Sequence, residues 1–314
     1  MNDIDLDLFD LDDIPPDHRS GFVALIGRPN VGKSTLMNSL LGQKVAIVSP
    51  RPQTTRNRIL GIMTRPEYQI IFVDTPGIHR PRHELGRYMV ATARSAIPDA
   101  DVILFMVDVS VNPTREDQDI ARLITARASD APVILVMNKM DRLKPDKVEA
   151  HCEAYWGLGQ GDWHQDWMMT TATTGDNLDK LLGRVVAALP QGPRYYPGDQ
   201  ITDQTEREIA AELIREQVLR YTRQEVPHSV AVVVEDFKAR SETLTYVGAN
   251  VFVERSSQKG IIIGKKGQML RKIGAAARPQ IERLTGTKVY LELWVKVSEG
   301  WRKDERWLRR LGYK

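Results

Sequence analysis

Short, nearly uninterrupted apolar runs alternate with amphipathic stretches through the first 190 residues. The runs fall at 22–26, 58–63, 70–74, 102–108, 133–138 and 167–171, and apolar residues recur at helical spacing in 34–41, 83–96, 115–128, 144–156 and 177–189. Apolar runs this short, with little polar alternation, read as strands buried on both faces. Strands separated by helices predict a mostly parallel sheet with helices on both faces. None of the runs approaches the roughly 20 apolar residues needed to cross a bilayer.

Three Pro and two Gly between positions 190 and 198 interrupt the pattern and predict a linker. The pattern then changes. Residues 205–222 carry Ile209, Leu213, Val218 and Leu219 at roughly helical spacing, 229–235 alternate as a strand, and 246–254 read as a second. A third strand is expected at 289–297, with Leu291, Leu293 and Val295 on its core face. Trp294 and Trp301 read equally well as packing residues. Helix, two strands, a helical hairpin and a strand predict a separate, smaller α/β unit. The expected organisation is an arm at 1–17, a first domain at 18–190, a linker at 191–204 and a second domain at 205–314.

Candidate chemistry sits at the ends of the predicted strands, where open α/β sheets bind ligands. Gly27-Arg28-Pro29-Asn30-Val31-Gly32-Lys33-Ser34 joins the first strand to a helix. That is the context a phosphate-binding loop requires: its glycines let consecutive N–H groups face one anion, and the helix N-terminus adds its positive end. Lys33 is placed to reach the outer phosphates and the Ser34 hydroxyl to ligate Mg²⁺. Asp74-Thr75-Pro76-Gly77, followed by Ile78, ends another strand; Asp74 is a second Mg²⁺ candidate, and the Gly77 N–H can approach a γ-phosphate. Asn138-Lys139-Met140-Asp141 selects the base. The Asp141 carboxylate can accept from N1–H and the 2-amino group of guanine, whereas adenine would leave it partly unpaired. Asn138 is expected to brace the surrounding loops, and the Lys139 stem to lie on the base. These motifs together predict GTP and exclude a P-loop kinase. Residues 49–58 hold two Pro and are read as a mobile loop, with Thr55, ahead of Thr54, as a further Mg²⁺ ligand.

Gly264-Lys265-Lys266-Gly267 joins an apolar helix to a basic one. A loop without side-chain bulk at its two glycines lets single-stranded RNA backbone pass close. Lys265, Lys266, Arg271 and Lys272 are the candidate phosphate contacts, and Ile261, Ile263 and Ile273 the candidate floor for bases.

Composition sharpens this picture in two places. The chain has 314 residues, 42% hydrophobic, and one cysteine, Cys152, which excludes an internal disulfide framework. Net charge is +3 overall but uneven: the first 17 residues hold seven Asp and no Lys or Arg, while residues 255–314 hold 16 basic and 5 acidic side chains. The acidic start has the wrong charge for a signal or transit peptide, so the cytoplasm is the expected location. The basic end predicts a polyanionic partner, with nucleic acid ahead of a membrane surface.

The set 27–34, Thr54-Thr55, 74–77, 138–141 and Thr171-Ala172-Thr173-Thr174-Gly175 resembles a translation-factor-type small GTPase domain. The resemblance gives the Ala172 N–H a contact to the guanine oxygen. It also makes Lys33, Asn30 and Thr55 the catalytic candidates, Asn30 as a ligand for K⁺. Where Ras-like enzymes carry a water-orienting Gln, this chain has Ile78, which predicts slow intrinsic hydrolysis. Gly260 to Gly274 resembles a KH domain of the bacterial type. With Tyr290 to Val297, Gly300 to Glu305 and Leu311-Gly312-Tyr313, the chain resembles the Era family of bacterial GTPases from about residue 21 to its end. That resemblance implies a monomeric GTP-switched assembly factor for the small ribosomal subunit, gripping single-stranded RNA near the 3′ end of 16S rRNA. Peripheral contact with the inner membrane is described for such proteins. The acidic arm is outside the family pattern. Other readings are an RNA-binding module with little turnover and a membrane-linked signalling GTPase.

Overall fold

A computed structural model describes residues 15–51, 53–81, 83–128, 130–159 and 166–313. The acidic stretch read as an arm lies outside the described residues, apart from residues 15–17. The chain divides into two compact units. One takes the described residues up to Val45, Asn57–His79 and Val90–Asp203; the other takes Ala46–Arg56, Arg80–Met89 and the described residues from Gln204 onward.

In the first unit the elements run β1 (Arg19–Ile26), α1 (Lys33–Leu41), β2 (Ile59–Thr64), β3 (Tyr68–Asp74), α2 (Glu84–Ser95), β4 (Val102–Asp108), α3 (Arg115–Arg127), β5 (Val133–Asn138), α4 (Val148–Trp156), β6 (Trp167–Thr170) and α5 (Leu178–Ala188). The first half of α2 belongs by its packing to the second unit. The sheet order is β2-β3-β1-β4-β5-β6, with only the β2–β3 pair antiparallel. Successive strand residues such as Val23, Ala24, Leu25 and Ile26 are all fully buried, so both faces are covered. That is why these strands read as runs rather than alternations. One face packs on Ala93, Ile120, Ile124 and Tyr155 of α2, α3 and α4.

The stretch expected as a linker behaves otherwise through residue 203: it packs along the first unit. Gln69, fully buried, donates to the Tyr196 carbonyl at 2.7 Å and accepts from the N–H groups of Tyr195 and Tyr196. At the open edge of β2, Ile62 N–H donates to Ile201 O at 2.9 Å and Leu60 N–H to Asp203 Oδ1 at 3.1 Å. An edge strand offers unpaired backbone groups, and a Pro-rich segment with few internal bonds can satisfy them.

The second unit runs α6 (Glu206–Tyr221), α7 (Val226–Ser229), β7 (Ala231–Ser241), β8 (Leu244–Val253), α8 (Ser256–Ile263), α9 (Gln268–Thr285), β9 (Lys288–Val297) and α10 (Glu305–Arg310). Its sheet is β7-β8-β9, antiparallel then parallel. Helix α6 starts at a capping box in which Thr205 and Glu208 exchange side-chain-to-backbone bonds. β7 extends past the expected end at 235, because a register shift between Val234 and Asp236 lets a polar half-strand keep pairing with β8. α10 was not foreseen, its six residues being too few to show a period. Trp301, fully buried, anchors that terminal segment by donating from Nε1 to Ser229 O at 3.0 Å. Trp294 is 44% exposed.

Candidate GTP site and RNA-binding loop

The phosphate loop leaves β1 at Gly27 and enters α1 at Lys33. Gly32 has φ 108, and a Cβ there would collide with the Asn138 amide nitrogen, so the position accepts glycine alone on two counts. Asn30 also sits at positive φ, 65. Lys33 is buried, and its Nζ donates to the carbonyls of Gly27 and Arg28 at 3.1 Å each. Burial pulls its pKa down to about 8; Asp74 opposes the fall and Arg28 adds to it.

Asp74, fully buried at the end of β3, accepts from Ser34 Oγ at 2.5 Å. Two hard oxygen donors held together beside a phosphate loop fit Mg²⁺. Among the described residues no group of three or more His, Cys, Asp or Glu forms a separate metal cluster. Thr75 Oγ1 donates to Leu25 O at 2.7 Å, and Ile78 N–H donates to Gly27 O at 3.2 Å, which ties the strand end to the phosphate loop. The Ile78 side chain is buried in the core of the first unit, so it has no means of orienting water.

At the base-reading end, Asn138 Nδ2 donates to Val31 O at 2.7 Å, and its Oδ1 accepts from Ala172 N–H at 3.0 Å and Thr170 Oγ1 at 3.3 Å. Asn138 is thus the brace expected of it. The Ala172 N–H donates to Asn138, so toward a guanine oxygen it would act as a shared donor. Lys139 takes a left-handed backbone, φ 66, and donates from Nζ to Asp108 Oδ2 at 2.6 Å. Burial would raise the Asp108 pKa, but bonds from Lys139 and Ser110 outweigh it and hold the carboxyl low. Met140 and Asp141 lie in a single 3-10 turn, and the Asp141 side chain is 41% exposed with Arg142 at 3.8 Å. That leaves its carboxylate open to a base.

The Arg28 side chain is held by a carboxylate of another element. Its Nε donates to both oxygens of the fully buried Asp117, 3.2 Å each, and Asp117 also closes the capping box of α3 with Thr114. The pair went unseen in the sequence because the two residues lie 89 apart; Thr114 and Asp117 at cap spacing was the available signal. Thr54 and Thr55 are buried on 46–56, which packs with the second unit: Arg215 donates to Thr54 O, and Thr54 Oγ1 donates to Arg51 O at 2.7 Å. The loop's described residues form no strand, but these bonds tie Thr54 down.

The second loop connects α8 and α9. Gly264 has φ 69 and ψ 176, and a Cβ there would meet Met269 Cβ at 2.7 Å. Lys265 and Lys266 are exposed, with Lys266 at φ 51; Arg271 donates to Lys266 O at 2.8 Å and Lys272 Nζ lies 4.4 Å from the Tyr221 ring centre. Ile261 is 49% exposed and Ile263 half-buried, so both remain available as floor. Ile273 does not. It is fully buried in the core of the second unit, because its place on α9 faces the sheet.

Residues 22–139 match the family model described as 50S ribosome-binding GTPase, and residues 225–302 match that of the KH domain. GTPase Era of Geobacter metallireducens is 51% identical over 296 residues, which is 94% of this chain and 98% of its own length. The chain belongs to the Era family of GTPases. Two solved Era structures superpose with TM-scores of 0.89 at 41% identity, each match covering 94% of this chain and 99% of the other. One is an Aquifex aeolicus Era variant bound to GDP and AlF4⁻; the second is Era in complex with MgGDPNP and nucleotides 1506–1542 of 16S ribosomal RNA. This Era-family chain is therefore a GTPase with a P-loop domain of mostly parallel sheet and a C-terminal KH domain. No helix among its described residues is long and apolar enough to cross a membrane.

Proposed function

We propose that this GTPase binds single-stranded RNA near the 3′ end of 16S rRNA through the loop 264–267 and acts in small ribosomal subunit assembly, with GTP as the switch. The observation that carries the reading is one chain holding both an open Asp141 carboxylate beside an Asn138 brace and an exposed Lys265-Lys266 pair between two glycines. The Era complex with 16S rRNA supports the small subunit over the 50S wording of the family model, which matches only residues 22–139. Bound Mg²⁺ would neutralise charge on the β- and γ-phosphates, with Ser34 and Asp74 holding it and Thr55 as a further ligand. Lys33 balances the outer phosphates. Ile78 supplies no hydrogen bond to water, so intrinsic turnover is slow, and Asn30 serves as ligand for a K⁺ that assists. In this reading the chain works as a cytoplasmic monomer, and its basic C-terminal part is the surface offered for peripheral contact with the inner membrane.

The test is Lys265→Asp with Lys266→Asp. RNA spanning nucleotides 1506–1542 should no longer bind, while GTP affinity stays unchanged. Retained RNA binding would remove the loop from the reading.

A further inference from the structure

The sheet of the second unit has two faces of different character. Val234, Val247, Ala249, Val251 and Val289 point into the core formed with α6 and α9. The opposite face is half covered: Ala231 and Phe252 at one end pack under Trp301, Leu308 and Tyr313. The other half is open and aromatic. Tyr246 and Tyr290 stack there with ring centres 6.0 Å apart and an interplanar angle of 23°, and the Arg240 guanidinium lies 4.3 Å above the first ring and 5.8 Å from the second. Tyr290 is 52% exposed and Trp294, two pleats along the same strand, 44%. Gly248 keeps the floor between them shallow: a Cβ there would press on Tyr246 Oη at 3.1 Å and Trp294 at 3.3 Å.

A partner is indicated by what these side chains offer together. Burying two large aromatics would stabilise a protein core, yet these stay half in water. Tyr246 is fixed by its hydroxyl donating to Glu292 at 2.7 Å, so its ring is held flat before any ligand arrives. Rigid exposed rings, an arginine plane stacked on them and exposed Lys238, Lys288 and Lys296 around them are the components of a sequence-tolerant platform for unstacked bases. The acidic groups on this face are partly engaged within it: Asp236 pairs with Lys238 at 2.5 Å, Glu235 accepts from Asn250 at 3.1 Å, and Glu292 takes the Tyr246 hydroxyl. β9 is also the edge strand on which α8 and α9, the helices flanking the loop 264–267, both pack.

We propose that the open half of this face is a second single-strand RNA surface, on which bases stack against Tyr290 and Trp294 while Arg240 and Lys288 meet phosphates. It rests on the RNA-binding reading above and extends the RNA footprint beyond the nucleotides a loop of this type clamps. The test compares RNA of nucleotides 1506–1542 with fragments of about six nucleotides tiled across it, since a KH loop grips about four. Tyr290→Ala with Trp294→Ala should weaken the long RNA about tenfold or more and leave the best short fragment unchanged. Arg240→Glu should do the same and flatten the salt dependence, with thermal unfolding and GTP affinity as controls for folding. Equal binding of the long RNA by variants and wild type overturns the proposal. So does a loss confined to intact small subunits with naked RNA unaffected, which would give the face to a ribosomal protein. Failure of the wild type, or survival of Lys265→Asp/Lys266→Asp, on the short fragments would instead remove the underlying loop assignment.

Discussion

Asn138 Nδ2 lies 2.7 Å from the carbonyl oxygen of Val31, a bond between residues 107 apart that joins the end of β5 to the phosphate loop. Its Oδ1 holds Ala172 in the same grip. Asn138→Ala should leave both the carbonyl and the amide short of partners, costing about 1–3 kcal/mol for each buried group. Asn138→Asp should be worse, because an acceptor would then face the Val31 carbonyl. Thermal unfolding and GDP affinity of both variants check this; equal effects would mean that the donor to Val31 matters little.

Asp141 is the partly exposed carboxylate of the guanine motif. Asp141→Asn should lower GTP affinity by two orders of magnitude or more, corresponding to about 3 kcal/mol, because a donor replaces one acceptor. Affinity for xanthosine triphosphate should rise, since its 2-oxo group accepts from that donor. Competition binding with the two nucleotides measures the switch, and unchanged GTP preference would sink the base-recognition argument.

Lys33 gives a pH dependence with a definite sign. Its pKa in the free protein is about 8 rather than the ordinary 10.5. Bound phosphates favour the charged ammonium, so above pH 8 binding must take up a proton. GTP affinity should be nearly flat below about pH 7 and fall above 8, approaching tenfold per pH unit. For folding the sign is the reverse: the cost of burying the charged form is present below 8 and fades as pH rises toward 10.5. Calorimetry in buffers of different ionisation enthalpy reads the proton directly, and no uptake at about pH 8.5 would refute it.

Arg215, 1% exposed, donates to the Thr54 carbonyl while pairing with Glu212 at 2.5 Å. Nearby, Arg56 donates to Val230 O at 2.7 Å and lies 5.7 Å from the Trp301 ring centre. Arg215→Met should cost about 1.5–3 kcal/mol, the worth of a hydrogen bond from a charged donor. Its amide hydrogen exchange should quicken selectively within residues 46–56. Uniform acceleration across the second unit would mean that Arg215 stabilises the fold and does not specifically hold Thr54 and Thr55.

The phosphate loop, the turn at 138–141 and the loop at 264–267 were legible as structure because each is local. A few residues in sequence carry the backbone freedom and the charge that the chemistry needs, and the flanking periodicity places them on strand ends and between helices. Strand and helix assignments survived for the same reason, apart from segments too short or too polar to show a period, such as α10 and the outer half of β7.

What only the folded chain decided is long-range pairing, where partners lie tens to hundreds of residues apart and no spacing rule connects them. Arg28 reads only as a position within the phosphate loop until Asp117 claims its guanidinium. Residues 191–204 read as a linker until the open edge of β2 accepts Ile201 and Asp203, and residues 49–58 as a mobile loop until bonds from Arg215 to Thr54 and from Arg56 to Val230 hold part of it. Ile273 and Trp294 make the same point in opposite directions. Helical phase and strand register put the isoleucine in the core and leave the tryptophan in water, and that second outcome turns one face of a small sheet into a candidate surface for RNA.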